Sequence, residues 1–371
     1  MGKYNWQQND WPDFKYHIDD IENQFFRLAE KIGRVTGKWQ ALSSDNRQET
    51  IINLMVAEAV KTSEIEGEYI SRKDVFSSIR KNLGLRYGTE TIKDKRAAGI
   101  AELMTDVRKT FSEPLTKDTL FHWHRLLFGN NKSIKVGAWR THTEPLQVVS
   151  DAIGKEIIHF EAPPSSIVAK EMNRFISWFN SSNLFETKST KHAAISSAIA
   201  HLHFETIHPF EDGNGRIGRA IAEKALSQGI GRPVLLSLSD TIEANKKEYY
   251  NALKSAQRSN EITGWMHYFV QLILDAQSRA ENLIDFTLKK ASFFDTYSEK
   301  LNERQKKVIN RMFEEGPDGF MGGMSAKKYV NITKISKATA TRDIQYLLEI
   351  GAFKQMGEAG GRSTKYQLSL L

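Results

Sequence analysis

The sequence predicts a mainly α-helical protein with one β-hairpin in its body and a basic, mostly helical end. Three observations carry this. Glycine and proline are sparse, 24 and 8 of 371 residues, so long stretches run without punctuation. Apolar residues recur at spacings of three and four, as in Ile195, Ala198, Ile199 and Leu202, and again in Trp265, Phe269, Leu272 and Ile273. The helical period is lost over one long internal segment, between Val136 and Pro164.

In chain order, an aromatic-rich start (Tyr4, Trp6, Trp11, Phe14, Tyr16) precedes helices expected near 20–42 and 47–66. In the interrupted segment, Gln147-Val148-Val149 and Glu156-Ile157-Ile158 flank Asp151-Ala152-Ile153-Gly154, the pattern of a hairpin. Helices then run to about 285. Near the end, 302–315 reads as a helix with Val308, Ile309, Met312 and Phe313 on one side, and Met324 to Tyr329 as a second, short one. Ile344, Leu347 and Leu348 belong to a third helix, ended by Gly351. Ala352-Phe353-Lys354-Gln355 and Lys365-Tyr366-Gln367-Leu368 flank the glycine-rich Glu358-Ala359-Gly360-Gly361-Arg362, a second hairpin. The length has room for two or three domains, and the expected division is 1–95, 96–290 and 295–371.

Composition narrows the function. Apolar residues at 40% and charged residues at 26% exclude wholesale disorder. The absence of cysteine excludes disulfides, thiolate metal sites and a cysteine nucleophile. No apolar run approaches the ~18 residues that cross a bilayer, and the start lacks the apolar core of a secretion signal, so a soluble cytoplasmic protein without membrane partners is expected. The net charge of +7 is uneven: from residue 300 onward nine Lys and four Arg face seven acids, leaving about +1 for the rest. That is the pattern of a basic module joined to a near-neutral body.

The chemistry concentrates in His208-Pro209-Phe210-Glu211-Asp212-Gly213-Asn214-Gly215-Arg216-Ile217-Gly218-Arg219. Pro209 and the glycines end one helix and open a loop, and Ile217, Ala220, Ile221 and Ala225 resume a helical pattern. A loop opening a helix exposes unpaired N–H groups, a cradle for phosphate. Arg216 and Arg219, three apart, face the same anion. Asp212 beside them suits Mg²⁺ shared with phosphates, and His208 exchanges protons near neutral pH. A solvated glycine-rich turn is the plain alternative, disfavoured by the density of functional residue types. Gly213-Asn214-Gly215-Arg216-Ile217-Gly218 also matches the dinucleotide fingerprint, but that fingerprint follows a strand, and Ile195 to Ile207 carry a helical period. A metal site from His201, His203, His208 and Asp212 is disfavoured, because His201 and His203 point to different sides of a helix. Those two are expected in the core or on the surface.

The same twelve residues resemble the signature of the Fic family, His-x-Phe-x-(Asp/Glu)-Gly-Asn-Gly-Arg-x-x-Arg, at all eight fixed positions, and a looser likeness extends over about 50–285. The resemblance implies a mainly α fold, a helical Fic core with a small β-hairpin flap, followed here by three helices and a basic hairpin similar to a winged helix–turn–helix. It implies transfer of the AMP part of ATP to a Ser, Thr or Tyr hydroxyl of a target protein. His208 would be the general base, Phe210 the loop's buried anchor and Asp212 the Mg²⁺ ligand. Gly213, Asn214 and Gly215 would line the α- and β-phosphates, Arg216 the departing pyrophosphate and Arg219 the γ-phosphate. The hairpin at 147–158 is similar to the family's flap, which docks the target. Tyr249 and Tyr250, in Asn245-Lys246-Lys247-Glu248-Tyr249-Tyr250-Asn251, resemble the segment lining the nucleotide base.

Thr62-Ser63-Glu64-Ile65-Glu66-Gly67 matches the family's inhibitory motif, (Ser/Thr)-x-x-x-Glu-(Gly/Asn). Ile51, Leu54, Met55, Ala59 and Val60 predict a helix that Gly67 caps, placing Glu66 in the last turn against the negative end of the helix dipole. The resemblance pairs Glu66 with Arg219, withholding that arginine from ATP; some relatives use the same glutamate to remove AMP. At the basic end, Lys337, Thr339, Thr341 and Arg342 open the third helix, where such domains touch DNA, so duplex DNA is an expected partner of 295–371, against an alternative protein-binding role. The rival to the enzyme is a DNA-binding regulator whose Fic core only senses nucleotide; a further alternative is a Fic enzyme with another nucleotide donor.

Overall fold

The computed structural model describes residues 3–85, 92–152, 155–181, 189–317, 319–357 and 364–370, with side chains described outside 148–159. Among these, fourteen α-helices and two small sheets divide between two compact units, residues 1–36 with 51–280 and residues 37–50 with 281–371.

The first unit is built around a helix with no exposed side. In α7 (Thr190–Ile207) every residue from Ala193 to Ile207 is buried, polar ones such as Ser197, His201 and Glu205 included, so the helix lies at the centre of the unit. Its small residues admit a close neighbour, α8 (Asn214–Ile230): Ser197 Oγ donates to the Ala222 carbonyl, and a Cβ on Gly229 would lie 2.5 Å from that of Ala193. Around this pair pack α2 (Ser44–Ile65), α3 (Arg72–Asn82), α4 (Lys95–Lys109), α5 (Lys117–Phe128) and α6 (Ser165–Phe179), filling one core with residues such as Val56, Met104, Trp123, Phe175, Phe204 and Ile221. His201 and His203 both lie in this interior. His201 bonds the Tyr249 hydroxyl at 2.8 Å, and His203 sits among Trp11, Phe14, Phe175 and Trp178. Burial pulls their imidazoles down to about 4 and about 3.

The hairpin pairs β1 (Gln147–Ala152) with β2 (Lys155–Glu161) antiparallel, from Gln147 opposite Glu161 to Ala152 opposite Lys155, with an irregularity between Val148 and Val149. The strands run further than the sequence pattern suggests. Asp151 and Ala152 belong to β1, while Ile153-Gly154 lies outside the described residues.

The remaining helices are α1 (Glu22–Ala41), α9 (Leu238–Ala244), α10 (Lys246–Ala256) and the long α11 (Thr263–Tyr297). In the second unit, Asn302 and Gln305 form a capping box opening α12 (Glu303–Phe313), and Ser325 and Ser336 cap α13 (Ala326–Thr333) and α14 (Lys337–Glu349). Met324, read from sequence as helical, instead exchanges backbone bonds with Tyr366 of β4 (Lys365–Leu368), the partner of β3 (Phe353–Met356). The helix starts only after the Ser325 cap. The hairpin tip proposed at 358–362 lies outside the described residues. Val308, Met312, Tyr329, Ile344, Leu347 and Phe353 share the core, and Asp343 inside it receives the Tyr329 hydroxyl at 3.1 Å. Lys337, Thr341 and Arg342 stay exposed, with Thr339 half-buried. No helix among the described residues is long and apolar enough to cross a membrane.

Candidate functional site

The site begins where α7 stops. His208 adopts a left-handed conformation (φ 50°), its N–H still reaching Phe204 O, and Pro209 prevents the helix from continuing. A non-glycine residue there costs about 1–3 kcal/mol, so neighbours must hold it. Arg140 does so: it is 1% exposed, its Nε donates to His208 O at 2.8 Å and one Nη to Ile207 O at 3.3 Å. Burial, with Arg140 beside it, pulls the His208 imidazole down to about 4, so the ring is neutral near pH 7. Nδ1 lies 3.4 Å from the Glu205 carbonyl and 3.8 Å from the Glu205 carboxyl. A proton on Nδ1 leaves Nε2 as the basic nitrogen.

The loop is anchored from below. Phe210, fully buried, stacks on His124 at 4.2 Å and tilts against Trp139. Asn214 closes the turn on itself: its Oδ1 accepts from Phe210 N at 2.9 Å and its Nδ2 donates to Phe210 O at 2.8 Å. His124 Nδ1 accepts from Gly137 N, which puts its proton on Nε2 for Asp212 O, 3.2 Å away. Gly213 precedes α8 with φ 80° and no side-chain cap, so the first N–H groups of α8 keep their affinity for an anion. A Cβ there would lie 2.7 Å from the Phe128 ring. Asp212 is 56% exposed at its side chain and holds Gly213 N at 2.5 Å. A single exposed carboxylate beside a phosphate cradle fits Mg²⁺ shared with a nucleotide.

Both arginines of α8 are buried and occupied. Arg219 Nη2 donates to Glu66 Oε1 at 2.7 Å and to Thr62 O at 2.9 Å, and its Nε to Thr62 Oγ1 at 2.7 Å. Arg216 Nη1 donates to Glu68 Oε2 at 2.9 Å, with its guanidinium over the Phe128 ring. One turn supplies both carboxylates. α2 ends at Ile65, one residue before Glu66 rather than after it, and Gly67 (φ 79°) bends the chain so that Glu68 N returns to Ser63 O. Partial burial pushes the Glu66 carboxyl up, but Arg219, with Arg216 and His208 behind it, holds it below the ordinary range. Arg219 is raised despite its burial by the same pair. The Glu66 carboxylate rests on the first turn of α8, since a Cβ on Gly215 would fall 2.2 Å from Oε1.

His208, Asp212, Gly213, Asn214, Gly215, Arg216, Arg219 and Glu66 therefore converge. The tyrosine pair does not do so as expected. Tyr249 is 1% exposed, its hydroxyl tied to His201, so its ring has no open face for a base; Tyr250, 38% exposed, does. Sequence reasoning missed Glu68, His124, Arg140 and Glu205. Of these, only Glu68 had a local signal, its place two residues after Glu66. Glu205 is buried, and burial, with Glu66 adding to it and Arg219 opposing, raises its carboxyl to about 8.

The Fic/DOC family model matches residues 114–226, and a domain of unknown function, DUF4172, matches residues 4–85. The chain is 27% identical over 177 residues to "Protein adenylyltransferase Fic" of Nematostella vectensis, covering 47% of this chain and 36% of that protein. The protein of the same name from Drosophila melanogaster is 31% identical over 169 residues, 46% of this chain and 29% of its own. The chain thus spans about a third of the length of the curated relatives it matches. In fold, it is similar to a Fic family protein from Desulfovibrio desulfuricans G20, with a TM-score of 0.50 at 19% identity over 94% of this chain and 97% of the other.

Proposed function

Residues 114–226 are a Fic/DOC-family domain, and from that premise we propose that the protein transfers AMP from ATP to a hydroxyl of a Ser, Thr or Tyr side chain in a target protein. The observation that carries this is the neutral His208 imidazole beside an uncapped helix N-terminus flanked by two buried arginines. The target oxygen attacks the α-phosphorus while the bond to the bridging oxygen of pyrophosphate breaks, and the proton passes to His208 Nε2. The N–H groups at Gly213–Gly215 receive negative charge as it develops, and the arginines hold the departing phosphates. Asp212 would hold Mg²⁺, which when bound neutralises charge on those phosphates. A target segment added to an open strand edge of the hairpin fits main-chain docking.

In this reading Glu66 is a brake, because its carboxylate occupies Arg219 and lies against the phosphate cradle. The test is mass spectrometry of Glu66→Gly protein after incubation with ATP and Mg²⁺, expecting the mass of AMP on the chain itself or on lysate proteins. His208→Ala in that background should lose transfer by about 10²-fold or more while still binding ATP. Transfer at the parental rate would overturn the assignment.

A second activity rests on the basic end. The exposed Lys337, Thr341 and Arg342 at the start of α14, on a segment carrying most of the net charge, favour a winged helix–turn–helix that binds duplex DNA.

A further inference from the structure

Three consecutive residues near the N-terminus join two parts of the first unit that are remote in sequence. Tyr4 is 1% exposed and meets Phe160 edge-on at 5.1 Å, forming a small cluster with Ala162. The Trp6 indole N–H donates to Glu161 O at 2.8 Å, at the last paired residue of β2. Between them Asn5, fully buried, donates through Nδ2 to Thr206 Oγ1 at 3.4 Å and through its backbone N–H to Gln257 O at 2.9 Å. Thr206 lies two residues before His208. The end of the hairpin and the end of the helix bearing His208 are thus held by one short strap.

Arg140 makes the same connection from another element. Besides bonding the Ile207 and His208 carbonyls, its guanidinium donates to Pro163 O, two residues beyond β2. A two-stranded hairpin is marginal by itself, so its direction is set by its base. A peptide docked along it must bring a hydroxyl within about 3 Å of Nε2, and a misplacement of about 1 Å costs up to about 10²-fold.

We propose that residues 4–6, within the segment matching a domain of unknown function, are a positioning brace for the protein substrate, fixing the hairpin's base to the helix end that carries His208. This rests on the transferase reading above. It requires the strap to affect a protein acceptor more than water, which needs no hairpin.

The experiment uses full-length Glu66→Gly protein and α-labelled ATP, reading label on protein and AMP released to water in one reaction. Trp6→Ala should lower label on protein about 10-fold while AMP released to water stays within about twofold. Trp6→Phe keeps an aromatic ring, smaller and without the N–H, and should fall between. Tyr4→Phe should match the parent, because the buried Tyr4 hydroxyl has no hydrogen-bond partner among the described residues. Hydrogen exchange gives a separate readout at Ala162, whose N–H bonds Leu146 O at the hairpin base, and Trp6→Ala should speed it. An equal fall in both products means a merely structural role and overturns the brace, as does label on protein that stays at the parental level. If the parent transfers no AMP, the transferase reading fails instead, and unchanged protection at Ala162 then overturns the brace by itself.

Discussion

Replacing Glu66 with glycine should release activity, and the size of the release follows from the geometry. Arg219 is 1% exposed, whereas the Glu66 side chain that pairs with it is 29% exposed. Breaking a fully buried pair costs about 3–5 kcal/mol and an exposed one about 0–1, so this intermediate pair holds about 2 kcal/mol. On the reading proposed above, nucleotide displaces it to engage Arg219, a penalty of about 30-fold in productive binding. Glu66→Gly is therefore expected to raise initial AMP incorporation about 30-fold at subsaturating ATP. Arg219→Ala in the same background should abolish the gain, giving non-additivity in the double-mutant cycle. Glu68→Gln, which removes the charge facing Arg216, should add less, about fivefold, since that pair makes one hydrogen bond and Asp212 stays 3.6 Å from the same guanidinium. The assay is label transfer from α-labelled ATP to the protein itself and to a cell lysate. Unchanged incorporation in Glu66→Gly, with and without Glu68→Gln, refutes the reasoning.

Further outcomes follow from the same contacts. The His208 imidazole titrates near 4 in the folded protein, so it stays an unprotonated base as pH falls through 6.5; kcat/KM of Glu66→Gly protein should remain flat there and fail only towards 4, and a midpoint near 6.5 contradicts the assignment. Full-length protein should retard duplex DNA in gels at low salt, with affinity falling steeply as salt rises and weakened by Arg342→Ala; no shift at low salt makes the basic end a protein-binding module. Gly218→Ala should destabilise by about 1–3 kcal/mol, because its Cβ would lie 2.3 Å from Oε1 of the buried Glu205, while Gly215→Ala, whose clash is with the movable end of Glu66, should cost less; equal urea midpoints would contradict this.

Much of the fold was legible because its signals are local. The period of α7 and the loss of period before Pro164 depend on neighbours a few residues apart, and both mark real elements. Boundaries failed where a long-range partner decided them. Met324 looks helical beside Tyr329, yet its backbone pairs with Tyr366, forty-two residues later in sequence, and the helix waits for the Ser325 cap. Tyr249 and Tyr250 read as one aromatic pair, but adjacent helical residues point about 100° apart, so one enters the core and the other does not.

The site divides along the same line. Residues 208–219 carry their chemistry side by side, and Glu66 was readable through its motif. Glu68 reaches Arg216 across 148 residues, and Arg140 reaches His208 across 68, distances at which a lone charged residue gives no pattern. The glycines are the instructive case. Gly213, Gly215 and Gly218 fit a dinucleotide fingerprint, where missing side chains let pyrophosphate approach a strand-to-helix turn. On this helix the same absences make room for other groups: the Phe128 ring at Gly213, the Glu66 carboxylate at Gly215 and the Glu205 carboxyl at Gly218. A spacing of glycines states only where a Cβ is excluded. What fills the space is decided by elements far along the chain, and in this protein two of the three occupants are acids whose charge acts on the same buried Arg219.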